Sequence, residues 1–210
     1  MSPGEALERV INSEGSERTV LAWLKKEESA WILPQALAVS QVAAYAVPEF
    51  AFGTDYRADF VIMVPFSGGF DVHFVEMEPP NEPIFTQKGN PASRLAGALS
   101  QVRPWKTYVE NNRGMVLREL SKFAGKAELL WGRKSEILCN AGFPLHHQDV
   151  CIIWLYHILI GRRAGLTNKQ LAAKAAFFKQ EGVDVVTYDR LIDAAKRLDG
   201  SSRRSLNPFA

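Results

Sequence analysis

Residues 56–78 read YRADFVIMVPFSGGFDVHFVEME. Two apolar runs, ADFVIMV and DVHFVEM, flank Pro65-Phe66-Ser67-Gly68-Gly69, a cluster that favours a tight turn. The stretch predicts a β-hairpin. Side chains alternate along a strand, so Val72, Phe74, Glu76 and Glu78 share one face, while His73, Val75 and Met77 share the other. A reversal between Ser67 and Gly68 sets Asp59 opposite Glu76. Phe60, Val61, Ile62, Met63 and Val64 are apolar on both faces, which marks a central strand.

Asp59, Glu76 and Glu78 then converge on strands that are otherwise apolar. Burying acids close together is unfavourable unless a proton or a cation compensates them. A hard divalent metal does so well, since Mg²⁺ takes one or two carboxylates and keeps several waters. The plainer reading puts Asp59 at the wet start of its strand and turns Glu76 and Glu78 to solvent.

Upstream, Ser16-Glu17-Arg18-Thr19 predicts a helix start with Ser16 as N-cap and an apolar stripe of Val20, Leu21, Trp23 and Leu24 running to about Glu28. Glu17 falls in the first turn, either complementing the helix dipole or aimed at the hairpin as a fourth acid. Residues 36–52 hold β-formers broken by Pro48, which predicts an extended segment with an edge or bulge. Gly53-Thr54-Asp55 turns it into the hairpin.

Downstream, Pro79-Pro80-Asn81-Glu82-Pro83 excludes regular structure. A loop leaving the end of an acid-bearing strand suits substrate contacts. A helix is predicted over 91–111, with Asn90 as cap, Pro91 at its first position and Leu95, Ala98, Leu99 and Val102 as its buried stripe. Arg94, Gln101 and Trp105 lie on a neighbouring face, an exposed polar face being the default reading of Arg94 and Gln101, and Pro104 predicts a kink or break. Within 113–150, Glu119 to Phe123 suggests a helix end and Ala127 to Trp131 a short strand. His146 and His147 are adjacent and point apart on any regular element, so His146-His147-Gln148-Asp149 reads as loop rather than metal site.

Trp154 to Ile160 reads as a buried strand ending in Gly161-Arg162-Arg163, which is either a solvated strand end or a phosphate-binding pair. A helix over 169–180, a strand over 183–187 and a helix over 189–198 follow; strand, crossover helix and strand imply a parallel pair with right-handed connection. The fold class is therefore α/β, with an antiparallel hairpin inside a mixed sheet. The domain division expected is an N-terminal extension over 1–15, one domain over 16–199 elaborated at about 113–150, and a polar tail over 200–210.

The chain of 210 residues is long enough for a real core, and its net charge of +2 leaves any basic surface local. Cys139 and Cys151 form no CxxC or His–Cys cluster, and are expected as reduced thiols. The opening MSPGEALERV lacks the pattern of a signal peptide, and the longest apolar run, Cys151 to Ile160, is about half a membrane span. A soluble cytoplasmic protein with no membrane partner is expected.

Four blocks carry a family resemblance: ADF at 58–60, VEMEPPNEPIFTQKGNPASRLAGALSQVRPW at 75–105, ILIGRRAGLT at 158–167 and VVTYDRL at 185–191. The order of helix with an early acid, strand, Asp-bearing strand, Glu-x-Glu strand, helix with Gln, strand and helix is similar to the PD-(D/E)XK nuclease superfamily. From about Glu17 to Leu198 the chain resembles, more narrowly, the nuclease domain of the Shedu anti-phage defence proteins. That resemblance implies a restriction-endonuclease-like mixed sheet flanked by helices with an α-β-β-β-α-β core. It further implies a Mg²⁺- or Mn²⁺-dependent DNA endonuclease with DNA as partner, while the sequence leaves open whether the chain forms a homo-oligomer. It casts Asp59 and Glu76 as metal ligands with the Met77 carbonyl, Glu17 as the helix acid near the metal and Gln101 as the helix residue facing the site. Glu78 stands where the superfamily pattern has lysine. The missing cation is then sought in Lys88 or Arg94, or replaced by a second metal that Glu78 helps hold. Lys88, Arg94, Arg162 and Arg163 are the candidate contacts to the DNA backbone. The rival readings are a nuclease-fold module, binding DNA or a protein without catalysis, and a glycosidase, for which the paired acids are too close-set.

Overall fold

In a computed structural model, residues 1–13, 16–26, 29, 31–37, 44–124 and 137–199 are described. They form a five-stranded mixed sheet of order β1-β2-β3-β4-β5, with β1 Tyr45–Phe52, β2 Tyr56–Phe66, β3 Gly69–Met77, β4 Cys151–Leu159 and β5 Val183–Val186. The first three strands are an antiparallel meander, while β3 pairs β4 and β4 pairs β5 in parallel. The hairpin has the expected register, from Phe60 opposite Val75 to Phe66 opposite Gly69. Gly69 is required by packing as well as by the turn: a Cβ there would lie 1.9 Å from the Cys151 carbonyl oxygen of β4. Short parallel β5 follows its crossover helix as the sequence implies.

Helices cover both faces. On one face α4 (Ser93–Asn111) and α5 (Arg113–Ala124) contribute to a core with Val72 and Phe74 of β3, and α6 (Asn168–Glu181) packs Ala173 and Phe177 against it. On the other, α1 (Pro3–Ser13), α2 (Glu17–Leu24), α3 (Ile32–Leu37) and α7 (Tyr188–Asp199) enclose a second core with Val75 and Met77. Strand alternation thus sorts β3 between two cores as its sequence predicts. This is a mixed α/β architecture compatible with a restriction-endonuclease-like fold. The segment ahead of residue 16 contributes a helix whose Leu7 and Ile11 are fully buried. Among the described residues no helix is long and apolar enough to cross a membrane.

Local chemistry sets the helix limits. Ser16 caps α2, its side chain accepting from the Thr19 amide at 3.2 Å. The helix stops at Leu24 instead of about Glu28, with Lys25 as C-cap. Helix α6 has a capping box of Thr167 and Gln170 and ends at Gly182 in the left-handed conformation (φ 63°).

Four expectations are corrected. Ala36 and Leu37 close α3 rather than opening a strand; Pro34 lies in its first turn, where no intrahelical donor is needed. Asn90 does not cap α4, which starts after Ala92. Its carbonyl instead accepts the Thr86 amide at 2.8 Å, and Ala92 N–H donates to the Ile84 carbonyl at 2.9 Å, closing a small loop that holds Pro91 opposite Phe85. Trp105 does not share the face of Arg94 and Gln101, which are exposed: it is 1 % exposed, edge-on to Phe52 at 5.6 Å between ring centroids, because it continues the stripe of Ala98 and Val102. Pro104 does not break α4, which runs unbroken to Asn111. Pro48 sits on β1, an edge strand, as expected, and Glu49 beside it has φ 51°, paired to Lys25 and Arg57. The strand expected over 127–131 and the tail over 200–210 lie outside the described residues.

Candidate active site

The hairpin holds its acids by backbone geometry. Asp59 immediately precedes the apolar run of β2, and its Oδ2 accepts the Met77 amide proton at 2.7 Å, fastening the two strands at the point where β3 ends. Glu78 continues the ladder, donating its N–H to the Leu159 carbonyl at 2.8 Å. Glu76 is 8 % exposed, on the face turned to α4, where Gln101 hydrogen-bonds its side chain.

Glu17, Glu76 and Glu78 all feel the charge of Asp59. Burial raises the Glu76 carboxyl to about 9, and the charges of Asp59, Glu78 and Glu17 add to the rise, with the Gln101 bond opposing it. Glu17, at the start of α2, is raised to about 7 by burial first and by Asp59 and Glu78 next, while Arg94 pulls it down. Burial likewise raises Asp59, against the lowering effect of the Met77 amide. Glu78 is raised by burial, against the lowering charge of Arg94. Its Oε2 is buried and accepts no hydrogen bond. Arg94 Nη1 stands 3.7 Å from it. Burial beside other acids leaves this cluster short of positive charge.

The donor set fits a hard divalent cation. It does so in the manner of one or two carboxylates plus water, since no group of three or more His, Cys, Asp or Glu among the described residues is placed to clasp a metal. Met77 contributes its main chain beside Asp59, its side chain being 1 % exposed in the second core.

The basic candidates divide. Arg94, in the first turn of α4, reaches the acids. Lys88 stands exposed in the turn of the proline loop. Arg162 and Arg163 are held by α7: Arg162 Nε lies 3.2 Å from Asp189 Oδ1 and its Nη1 2.9 Å from Asn12 Oδ1, and Arg163 pairs with Asp193 at 2.5 Å. Their charge is largely answered within the fold.

One residue of the site was not singled out from the sequence. Tyr188, fully buried at the start of α7, donates its hydroxyl to the Glu78 carbonyl at 2.8 Å. Burial raises its pKa, and the charges of Glu17, Asp59 and Glu78 raise it further. The available signal was its place directly after a parallel strand, at the edge where such strands end and sites form.

The family described as Shedu protein SduA, C-terminal, matches residues 14–192. The chain belongs to this family. No match to a curated protein accompanies it. In this Shedu family member the matched span takes in α2, all five strands, α4 and the first turn of α7, and so every element that lends a residue to the site.

Proposed function

We propose that this domain is a Mg²⁺- or Mn²⁺-dependent DNA endonuclease of the Shedu type, acting in anti-phage defence. The observation that carries the reading is the convergence of Glu17, Asp59, Glu76 and Glu78 at the end of the central hairpin under Gln101, where burial first and neighbouring acids second raise Glu17, Glu76 and Glu78. Asp59 and Glu76, with the Met77 carbonyl, would hold the cation, and Glu17 and Glu78 would complete its surroundings. When bound, the ion supplies Lewis-acid charge beside the scissile phosphate and makes water a better nucleophile. Gln101 orients the Glu76 carboxylate. With Asp59 and Glu76 committed as ligands, the attacking water gives up its proton to bulk solvent. Water adds to phosphorus, the phosphodiester P–O bond breaks, and the leaving oxygen takes up a proton. Lys88 and Arg94 would receive the DNA backbone on the side of the proline loop.

The test is plasmid nicking in Mg²⁺ or Mn²⁺ by the wild type and by the Asp59→Ala and Glu76→Ala variants, with folding checked by thermal melting. Loss of nicking in both variants supports the reading, and continued cleavage by both overturns it. Glu78 in place of a lysine favours the second reading, a nuclease-fold module that binds DNA or a protein partner. Tight DNA binding with no cleavage in either metal would select it.

A further inference from the structure

Arg94 stands between two acids without binding either tightly. Its Nη1 is 3.7 Å from Glu78 Oε2 and its Nε is 4.0 Å from Glu82 Oε1. Both separations exceed a hydrogen bond, and a committed guanidinium–carboxylate fork is far shorter. The arginine side chain is 56 % exposed and Glu78 only 12 %. Glu78 Oε2 therefore faces a guanidinium yet accepts no hydrogen bond. Glu82 lies on the proline loop and Glu78 at the end of β3, so Arg94 spans the gap between the loop and the acid cluster. Seven residues further along α4, on the same helical face, Gln101 bonds Glu76. One helix thus sets a neutral amide on one acid and a loosely held cation on the other.

We propose that Arg94 is a two-position residue: at rest it neutralises Glu78 and Glu82, and when a nucleic-acid phosphate enters it transfers to the phosphate and leaves Glu78 to the divalent cation. This rests on the nuclease reading, and it assigns to Arg94 the charge that a lysine at position 78 would have carried. Two cations, guanidinium and metal, compete for Glu78 in the protein alone. With phosphate present each has its own anion, and the competition ends. Metal and DNA binding are then coupled through Arg94, and the coupling is reciprocal. Arginine suits the role because its planar fork matches phosphate as well as it matches carboxylate.

The experiment is a Mn²⁺ titration followed by electron paramagnetic resonance, with and without a short phosphorothioate DNA duplex, on wild type, Arg94→Gln, Arg94→Lys and Asp59→Ala. For wild type the duplex should tighten Mn²⁺ binding about 5-fold or more, the lower end of ordinary coupling. Arg94→Gln should bind Mn²⁺ alone at least as tightly as wild type and gain nothing from the duplex. Arg94→Lys should keep part of the gain. If Arg94→Gln shows the wild-type gain, or loses Mn²⁺ affinity in the absence of DNA, the two-position role is wrong while the nuclease reading stands. If wild type binds no Mn²⁺ that Asp59→Ala abolishes, both fall together.

Discussion

Asp59 is bonded to the backbone of the neighbouring strand: its Oδ2 takes the Met77 amide proton at 2.7 Å. The residue is therefore a strand fastener as well as a candidate ligand, and the two roles separate by substitution. Asp59→Asn keeps a side-chain carbonyl for the amide and should retain the fold while losing metal binding. Asp59→Ala leaves a buried N–H unpaired and should cost about 1–3 kcal/mol. Chemical denaturation of the two variants checks this; equal destabilisation by both would show that the bond contributes little.

Tyr188→Phe removes one buried hydroxyl, and with it the bond to the Glu78 carbonyl. A loss of about 1 kcal/mol is expected from a single hydrogen bond. Mn²⁺ affinity should fall as well, because the end of β3 loses its tie to α7. An unaltered Mn²⁺ isotherm would restrict Tyr188 to a packing role.

The acid cluster makes metal-free stability depend on pH with a definite sign. Glu17 and Glu76 are raised from 4.5 to about 7 and about 9, so above 4.5 the folded chain binds protons that the unfolded chain has released. Stability then falls as pH rises from 4.5 toward 9, and levels off beyond. Melting in a chelator should show this decline, and Glu76→Gln should flatten its upper part. Added Mg²⁺ should restore the melting point most at high pH, since a ligand of the native state stabilises it. A metal-free melting point that climbed over this range would contradict the cluster.

A buried row on the other face of the sheet acts at low pH. His73 Nδ1 lies 2.9 Å from His157 Nε2, and His157 Nδ1 lies 3.6 Å from Asp184, which also pairs with Arg190 at 3.2 Å. Burial, then the charges of His157 and Arg190, lower His73 to about 3. Asp184 is also lowered: burial would raise it, but the neighbouring His157 imidazole and the charges of Lys174 and Arg190 outweigh that. Both groups bind fewer protons folded than unfolded in acid, so stability is lost as pH falls from 6.5 through 3. The urea midpoint should drop across that range, and His73→Gln should make the drop shallower.

Gly161, just past β4, donates its N–H to the Pro79 carbonyl at 3.3 Å and so packs against the loop that carries Glu82. It has φ 62°, and a Cβ there would meet the Glu82 carbonyl oxygen at 2.6 Å. Gly161→Ala should destabilise by about 1–2 kcal/mol for the left-handed backbone alone, and by more for the contact, shifting Glu82 away from Arg94. Thermal melting reads the first effect. Mn²⁺ binding with and without DNA reads the second.

The hairpin was legible because strand periodicity and a glycine turn act over a few residues, and its register follows from the turn. The acids came with it: once Ser67 and Gly68 are the loop, Asp59 and Glu76 have nowhere to go but side by side. Contacts set by distant partners were not legible. Nothing local to Trp105 says that Phe52 will meet it, and Asn90 reads as a cap until its carbonyl is claimed by Thr86. Tyr188 and the row from His73 to Asp184 depend on the register of parallel strands, which no short turn fixes.

Strand β1 closes the sheet on one side, and an open strand rim invites a second chain to add to it. Here the rim is spoiled in its middle. Pro48 offers no N–H to a newcomer, and Glu49, turned to φ 51° and gripped by Lys25 and Arg57, bends the line a newcomer would follow. Edge-to-edge pairing of two copies along β1 is thereby disfavoured.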